Sequence, residues 1–89
     1  MIRYQMQFFG LVQQVGFRFY TQQFAKKNNC TGWVKNCDDG TVLMEIQGDQ
    51  KQIDQVILSL YAIDHIQIES IKKQEIPIKD EHDFVYRFN

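Results

Sequence analysis

Residues 3–8 (Arg-Tyr-Gln-Met-Gln-Phe) alternate polar and apolar side chains, the pattern of a strand with one buried face. Beyond Gly16 the period changes. Phe17, Tyr20, Phe24 and Ala25 recur at helical spacing, which predicts an amphipathic helix over residues 17–28 that ends at Asn28-Asn29. Thr31 to Cys37 reads as a short strand around Trp33 and Val34. Asp38-Asp39-Gly40 then reads as a tight turn, with Gly40 where a left-handed residue is needed. The chain returns from Thr41 to Gln47, burying Val42, Met44 and Ile46 while Thr41, Glu45 and Gln47 face away. Asp49 and Gln52 have the spacing of a capping box. The helix they open carries Ile53, Val56, Ile57 and Leu60 on one stripe. His65 to Ile71 reads as a fourth strand, and a polar segment holding Pro77 leads to a short terminal strand with Phe84, Tyr86 and Phe88 on one side.

The order β-α-β-β-α-β plus a final strand is that of an α+β, ferredoxin-like split βαβ sandwich, an antiparallel sheet with two helices on one face. Residues 1–89 make one domain, and 44% hydrophobic residues with seven Phe, four Tyr and one Trp give it material for a core. Trp33 is expected in that core. The net charge of −1, from ten basic and eleven acidic residues, supplies no field to draw in nucleic acid or a membrane. The N-terminus has no secretion-signal pattern and no apolar run is long enough to span a bilayer, so a cytoplasmic monomer is expected. Cys30 and Cys37 have neither the spacing nor the neighbours of a zinc site and are expected as reduced, partly buried thiols.

The candidate chemistry lies where the first strand meets the first helix. Gly10-Leu11-Val12-Gln13-Gln14-Val15-Gly16 is a loop flanked by glycines that opens directly into Phe17 and Arg18. Such a loop aims backbone N–H groups, a helix N-terminus and one guanidinium at a single point, which suits a small, multiply charged oxyanion such as phosphate. Elsewhere the usual catalytic signatures are missing: no Gly-x-Ser-x-Gly, no Walker loop, no His-Glu-x-x-His. His65 and His82 read as surface residues. An enzyme built this way needs a reaction that dispenses with a general base, a nucleophile and a metal. Hydrolysis of a carboxylic–phosphoric anhydride qualifies. Its leaving carboxylate has a conjugate acid of pKa about 4 to 5 and departs unprotonated. Its transition state spreads charge over phosphoryl oxygens that fixed N–H donors and an Arg can hold.

At these positions the chain resembles the acylphosphatase family. The family signature reads roughly Gly-x-Val-Gln-Gly-Val-x-Phe-Arg, beside Gly10 to Arg18 here. A second block matches Gly32-Trp33-Val34-Lys35-Asn36, Asp39-Gly40-Thr41-Val42 and Gln47-Gly48. The resemblance implies metal-independent, cofactor-free hydrolysis of acyl phosphates without a covalent intermediate. It implies that Arg18 binds the phosphoryl group and Asn36 positions the attacking water. The backbone N–H groups of Val12, Gln13, Gln14, Val15 and Gly16 would cradle the phosphoryl oxygens. Val15 and Phe17 would be structural.

Three positions depart from the family pattern. Gln14 stands where the family has glycine, and incurs strain if the site requires a positive φ. Cys37 replaces a hydroxyl residue after Asn36. Tyr61-Ala62-Ile63-Asp64 replaces a Gly-Pro turn, a change expected to lie away from the site. The alternative reading is a ferredoxin-like module that binds an anion without turnover. An RNA-binding module of this fold needs aromatic residues on the open sheet face. The first strand offers Arg3, Gln5 and Gln7 there, and the third Leu43, Glu45 and Gln47. The partners expected are therefore a small-molecule acyl phosphate and inorganic phosphate, with no nucleic acid and no membrane.

Overall fold

The structure is a computed structural model, and it describes residues 1–88. Its elements run β1 (Ile2–Leu11), α1 (Phe17–Lys27), β2 (Thr31–Asn36), β3 (Val42–Gly48), α2 (Gln50–Tyr61), β4 (Gln67–Ile76) and β5 (Phe84–Tyr86). The five strands form one sheet in the order β4-β1-β3-β2-β5. The first four pair antiparallel, but β5 lies parallel to β2, with Val34 opposite Tyr86. The sheet is therefore mixed, where the sequence pattern gave only antiparallel neighbours.

The apolar stripes do what their spacing predicts. Met6, Phe8, Val34, Val42, Met44 and Ile46 from the sheet meet Phe17 and Ala25 of α1 and Ile53, Val56 and Leu60 of α2, all buried. Each fully buried side chain of this size contributes about 1.5–3 kcal/mol through removal from water. Helix α2 begins at the capping box, with Gln52 Oε1 accepting from the Asp49 backbone N–H at 3.0 Å. Helix α1 ends where Asn28 caps it and Asn29 takes φ 57, and the Cys30 N–H returns to the Ala25 carbonyl at 2.9 Å.

Two expectations about β4 and β1 are corrected. β4 continues to Ile76, through Lys72, Lys73, Gln74 and Glu75, because it is an edge strand whose backbone pairs only with β1. Polar side chains are tolerated there on both faces and mask the strand period. β1 likewise runs past Phe8 to Leu11, with a bulge between Phe9 and Gly10.

The open face of the sheet is also less open than alternation suggests. β4 and β5 lie at opposite edges, so residues 77–83 must cross between them. This segment covers Arg3, which is fully buried rather than exposed. Arg3 Nε donates to Glu45 Oε1 at 3.0 Å and Nη1 donates to Glu81 at 2.7 Å and Gln47 at 3.2 Å. Gln47 exchanges two bonds with the backbone of Lys79, each 2.8 Å. Thr41, Glu45 and Gln47 face away from the helices as expected, yet all three are buried. Trp33 is corrected too. Gly32 and Val34 take the helix-facing positions of β2, so Trp33 sits half-buried on the opposite face, outside the core, under the Arg87 guanidinium at 4.5 Å.

Candidate active site

The end of β1, the start of α1 and the end of β2 converge on a cavity of about 160 Å³. Val12, Gln14, Gly16, Phe17, Arg18, Asn36 and Tyr86 line it. Arg18 and Asn36, which are 18 positions apart in the sequence, thus share one small space. Among the described residues the lining carries one cation, Arg18, and no carboxylate side chain. Larger hollows of about 470 and 480 Å³ lie on the open sheet face and between α2 and β4, and neither includes Arg18 or Asn36.

The loop reaches its shape through two left-handed residues. Gly16 caps α1 at φ 81, and Gln14 takes φ 62. A non-glycine residue in that region costs roughly 1–2 kcal/mol, so the strain anticipated at Gln14 is present. Among the described residues no carbonyl takes the N–H groups of Gln13 to Gly16. No acidic side chain lies in the first turn of α1, so no side chain of its own offsets the positive end of the helix dipole there.

Gln13 and Val15 do not line the cavity. The Gln13 side chain turns away to donate from Nε2 to the carbonyls of Cys37 at 2.7 Å and Thr41 at 2.9 Å. Val15 packs partly buried against the core, and the Phe17 ring packs at a tilt against Phe8, 4.9 Å between ring centres. Asn36 closes β2 directly before the turn. The side-chain bonds of that turn belong to Gln13, Asp39 and Thr41, and the Asn36 amide takes no part in them. The Thr41 hydroxyl and N–H both donate to Asp39, which holds its carboxyl below the usual range. Cys30 is a buried free thiol and Cys37 a half-buried one. Among the described residues no three His, Cys, Asp or Glu side chains gather as metal ligands, and no helix is long and apolar enough to cross a membrane.

Sequence reasoning missed three residues around the loop. Arg18 Nη1 donates to the Arg87 carbonyl at 2.8 Å, and its guanidinium lies 4.6 Å over the Tyr86 ring. The alternation of Phe84 and Tyr86 puts both on the helix side, but only the parallel pairing with β2 brings Tyr86 to Asn36. That pairing leaves no local mark in the sequence. His65, read as a surface residue, is exposed but has Nε2 3.1 Å from the Val15 carbonyl. His65 follows directly on Tyr61-Ala62-Ile63-Asp64, in the connection between α2 and β4.

The comparisons identify the family. The acylphosphatase family model matches residues 4–86. An acylphosphatase of Ligilactobacillus salivarius is 38% identical over 86 residues, covering 94% of this chain and 96% of that one. One from Oceanobacillus iheyensis is 58% identical over 45 residues, so that match spans about half of either chain. The crystal structure of an acylphosphatase from Bacillus subtilis superposes with a TM-score of 0.90 at 29% identity, over 99% of this chain and all of that one. On its sequence blocks, its sheet order and the match over residues 4–86, the chain belongs to the acylphosphatase family.

Proposed function

We propose that the chain hydrolyses acyl phosphates to a carboxylate and inorganic phosphate, with Arg18 and the loop amides holding the phosphoryl group and Asn36 orienting the water. The observation that carries this reading is that Arg18, Asn36, Gln14 and Gly16 line one small cavity with no carboxylate side chain among the described residues. The guanidinium offers paired donors to two phosphoryl oxygens. The N–H groups of the loop from Val12 to Gly16 take the remaining charge, and they are fixed before the reaction begins. The Asn36 amide accepts a hydrogen bond from a water through Oδ1 and donates through Nδ2, which directs the water oxygen at phosphorus. As that oxygen bonds to phosphorus, the bridging P–O bond breaks and its electron pair leaves with the carboxylate. The protons of the water stay with the phosphate product.

The size of the cavity bears on the substrate. About 160 Å³ lies well below the roughly 300–1,000 Å³ of sites that enclose a drug-sized ligand. The phosphoryl group enters, and the acyl group remains at the mouth. Selection by the acyl group is therefore weak, and inorganic phosphate acts as a product inhibitor. On the same reading the chain is a cytoplasmic monomer that uses neither nucleic acid nor membrane, a compartment supported by its two free thiols.

Incubation of the wild-type chain with benzoyl phosphate in EDTA tests the reading. Release of benzoate and phosphate is expected. Phosphate binding without turnover would favour the anion-binding module instead.

A further inference from the structure

We propose that His65 is a positioning residue for the anion cradle, acting through the peptide between Val15 and Gly16. The inference rests on the reading of this loop as the phosphoryl site. His65 sits in the connection between α2 and β4, and its Nε2 lies 3.1 Å from the Val15 carbonyl oxygen. A carbonyl oxygen only accepts, so Nε2 carries the hydrogen.

The geometry of the peptide unit turns this contact into an effect on the site. No peptide bond among the described residues is cis. In a trans unit the Val15 C=O and the Gly16 N–H point in opposite directions. An acceptor bond that draws the Val15 oxygen towards His65 therefore turns the Gly16 N–H the other way. Gly16 lines the cavity that holds Arg18 and Asn36.

Without such a bond the orientation is weakly defined. Gly16 stands at φ 81 and has no Cβ, so the preceding peptide turns over at little steric cost. No helical N–H takes the Val15 oxygen either, because the first helix-closing bond runs from the Tyr20 N–H to Gly16. Tyr20 steadies the brace from below. Its ring lies 5.8 Å from the imidazole, and its edge would stand 3.1 Å from a Cβ at Gly16. His65 lies outside both sequence blocks of the site.

Two substitutions separate the donor from the ring. His65→Phe keeps an aromatic ring against Tyr20 and removes the donor, whereas His65→Gln returns a donor at a similar reach. Inorganic phosphate is titrated into each protein, followed by the amide resonance of Gly16 and by competitive inhibition of benzoyl phosphate hydrolysis. Phosphate affinity is expected to fall about three- to tenfold in His65→Phe, the effect of one neutral hydrogen bond, and to recover in His65→Gln. The Gly16 amide shift on adding phosphate shrinks in the first variant and returns in the second. Equal affinity in all three proteins, or equal loss in both variants, overturns the role of His65 and leaves the cradle standing. A wild-type chain that binds no phosphate overturns the cradle reading, and the role of His65 with it.

Discussion

The side-chain amide of Gln13 donates to the carbonyl of Cys37 at 2.7 Å, joining the loop between β1 and α1 to the turn that follows Asn36. The same nitrogen reaches the Thr41 carbonyl at 2.9 Å, so one side chain spans the mouth of the β2–β3 hairpin. The two sequence blocks are thereby joined through one side chain.

Replacing Gln13 with Ala removes both side-chain bonds, while the Cys37 carbonyl keeps the Gly40 N–H and the Thr41 carbonyl keeps the Cys37 N–H, and is expected to cost about 1 kcal/mol of stability. Gln13→Glu is worse, because a carboxylate would face two carbonyl oxygens. Urea unfolding of both variants checks the order. Wild-type stability in Gln13→Glu would show that the bridge carries no weight.

Arg3 and Glu45 form a buried pair at the other end of the sheet, 2.9 Å apart. Burial works to raise the Glu45 carboxyl, but its bonds to Arg3 and Lys79 outweigh it and hold the group below its ordinary value. The unfolded chain therefore takes up this proton first as the solution is acidified. The contribution is complete above about pH 5 and is lost as pH falls through about 4 and below. Glu45→Gln should flatten that acid limb and lower stability at pH 7 by about 1–3 kcal/mol, leaving Glu81 as the remaining carboxylate on Arg3 among the described residues. Arg3→Met with Glu45→Leu should cost less than Glu45→Gln, since no charge is left unpaired on the pair itself. An unchanged acid limb in Glu45→Gln would contradict the assignment.

How much of this was legible in the sequence depends on the range of the interaction. The stripe of Ile53, Val56 and Leu60, the box at Asp49 and Gln52 and the alternation of Val42, Met44 and Ile46 are local, and the structure keeps them. Arg18 and Asn36 were found as motif residues, and the fold brings them to one cavity. Arg3 was misjudged because its burial comes from Glu81 and Lys79, supplied by a segment that crosses the sheet long after β1 has ended. Trp33 was placed in the core on its residue type, although the alternation of Gly32 and Val34 around it pointed to the other face. Tyr86, Arg87 and His65 reach the site only through the parallel β5 and the turn before β4, which no periodicity encodes.

Gln14 at φ 62 stores strain that glycine would release. Gln14→Gly gains roughly 1–2 kcal/mol in the folded state and loses about 0.5–1 kcal/mol to the freer unfolded chain. A net rise of up to about 1 kcal/mol in unfolding free energy is expected, read by urea titration at pH 7. A fall in stability would mean that the Gln14 side chain holds the loop more than its backbone strains it.

Burial, helped by the nearby Asp49 charge, pushes the Cys30 thiol up to about 11. The thiolate is the reactive form, so Cys30 should resist iodoacetamide at pH 8 in the folded chain, whereas the half-buried Cys37 is modified first. Mass spectrometry after tryptic digestion reads the order. Labelling of Cys30 ahead of Cys37 would contradict it. Because the unfolded thiol ionises near pH 8.5, stability from this group is whole below that value and declines as pH rises to about 11.

The division of labour between Arg18 and Asn36 is tested most directly by the hydrolysis of benzoyl phosphate by Asn36→Ala, with inorganic phosphate as competitive inhibitor. If Asn36 acts on the water alone, kcat falls by about a hundredfold or more while the inhibition constant for phosphate stays within about threefold of wild type. Arg18→Ala, assayed beside it, loses phosphate affinity and turnover together. An Asn36→Ala chain that keeps wild-type kcat, or that loses phosphate affinity as Arg18→Ala does, would contradict the account.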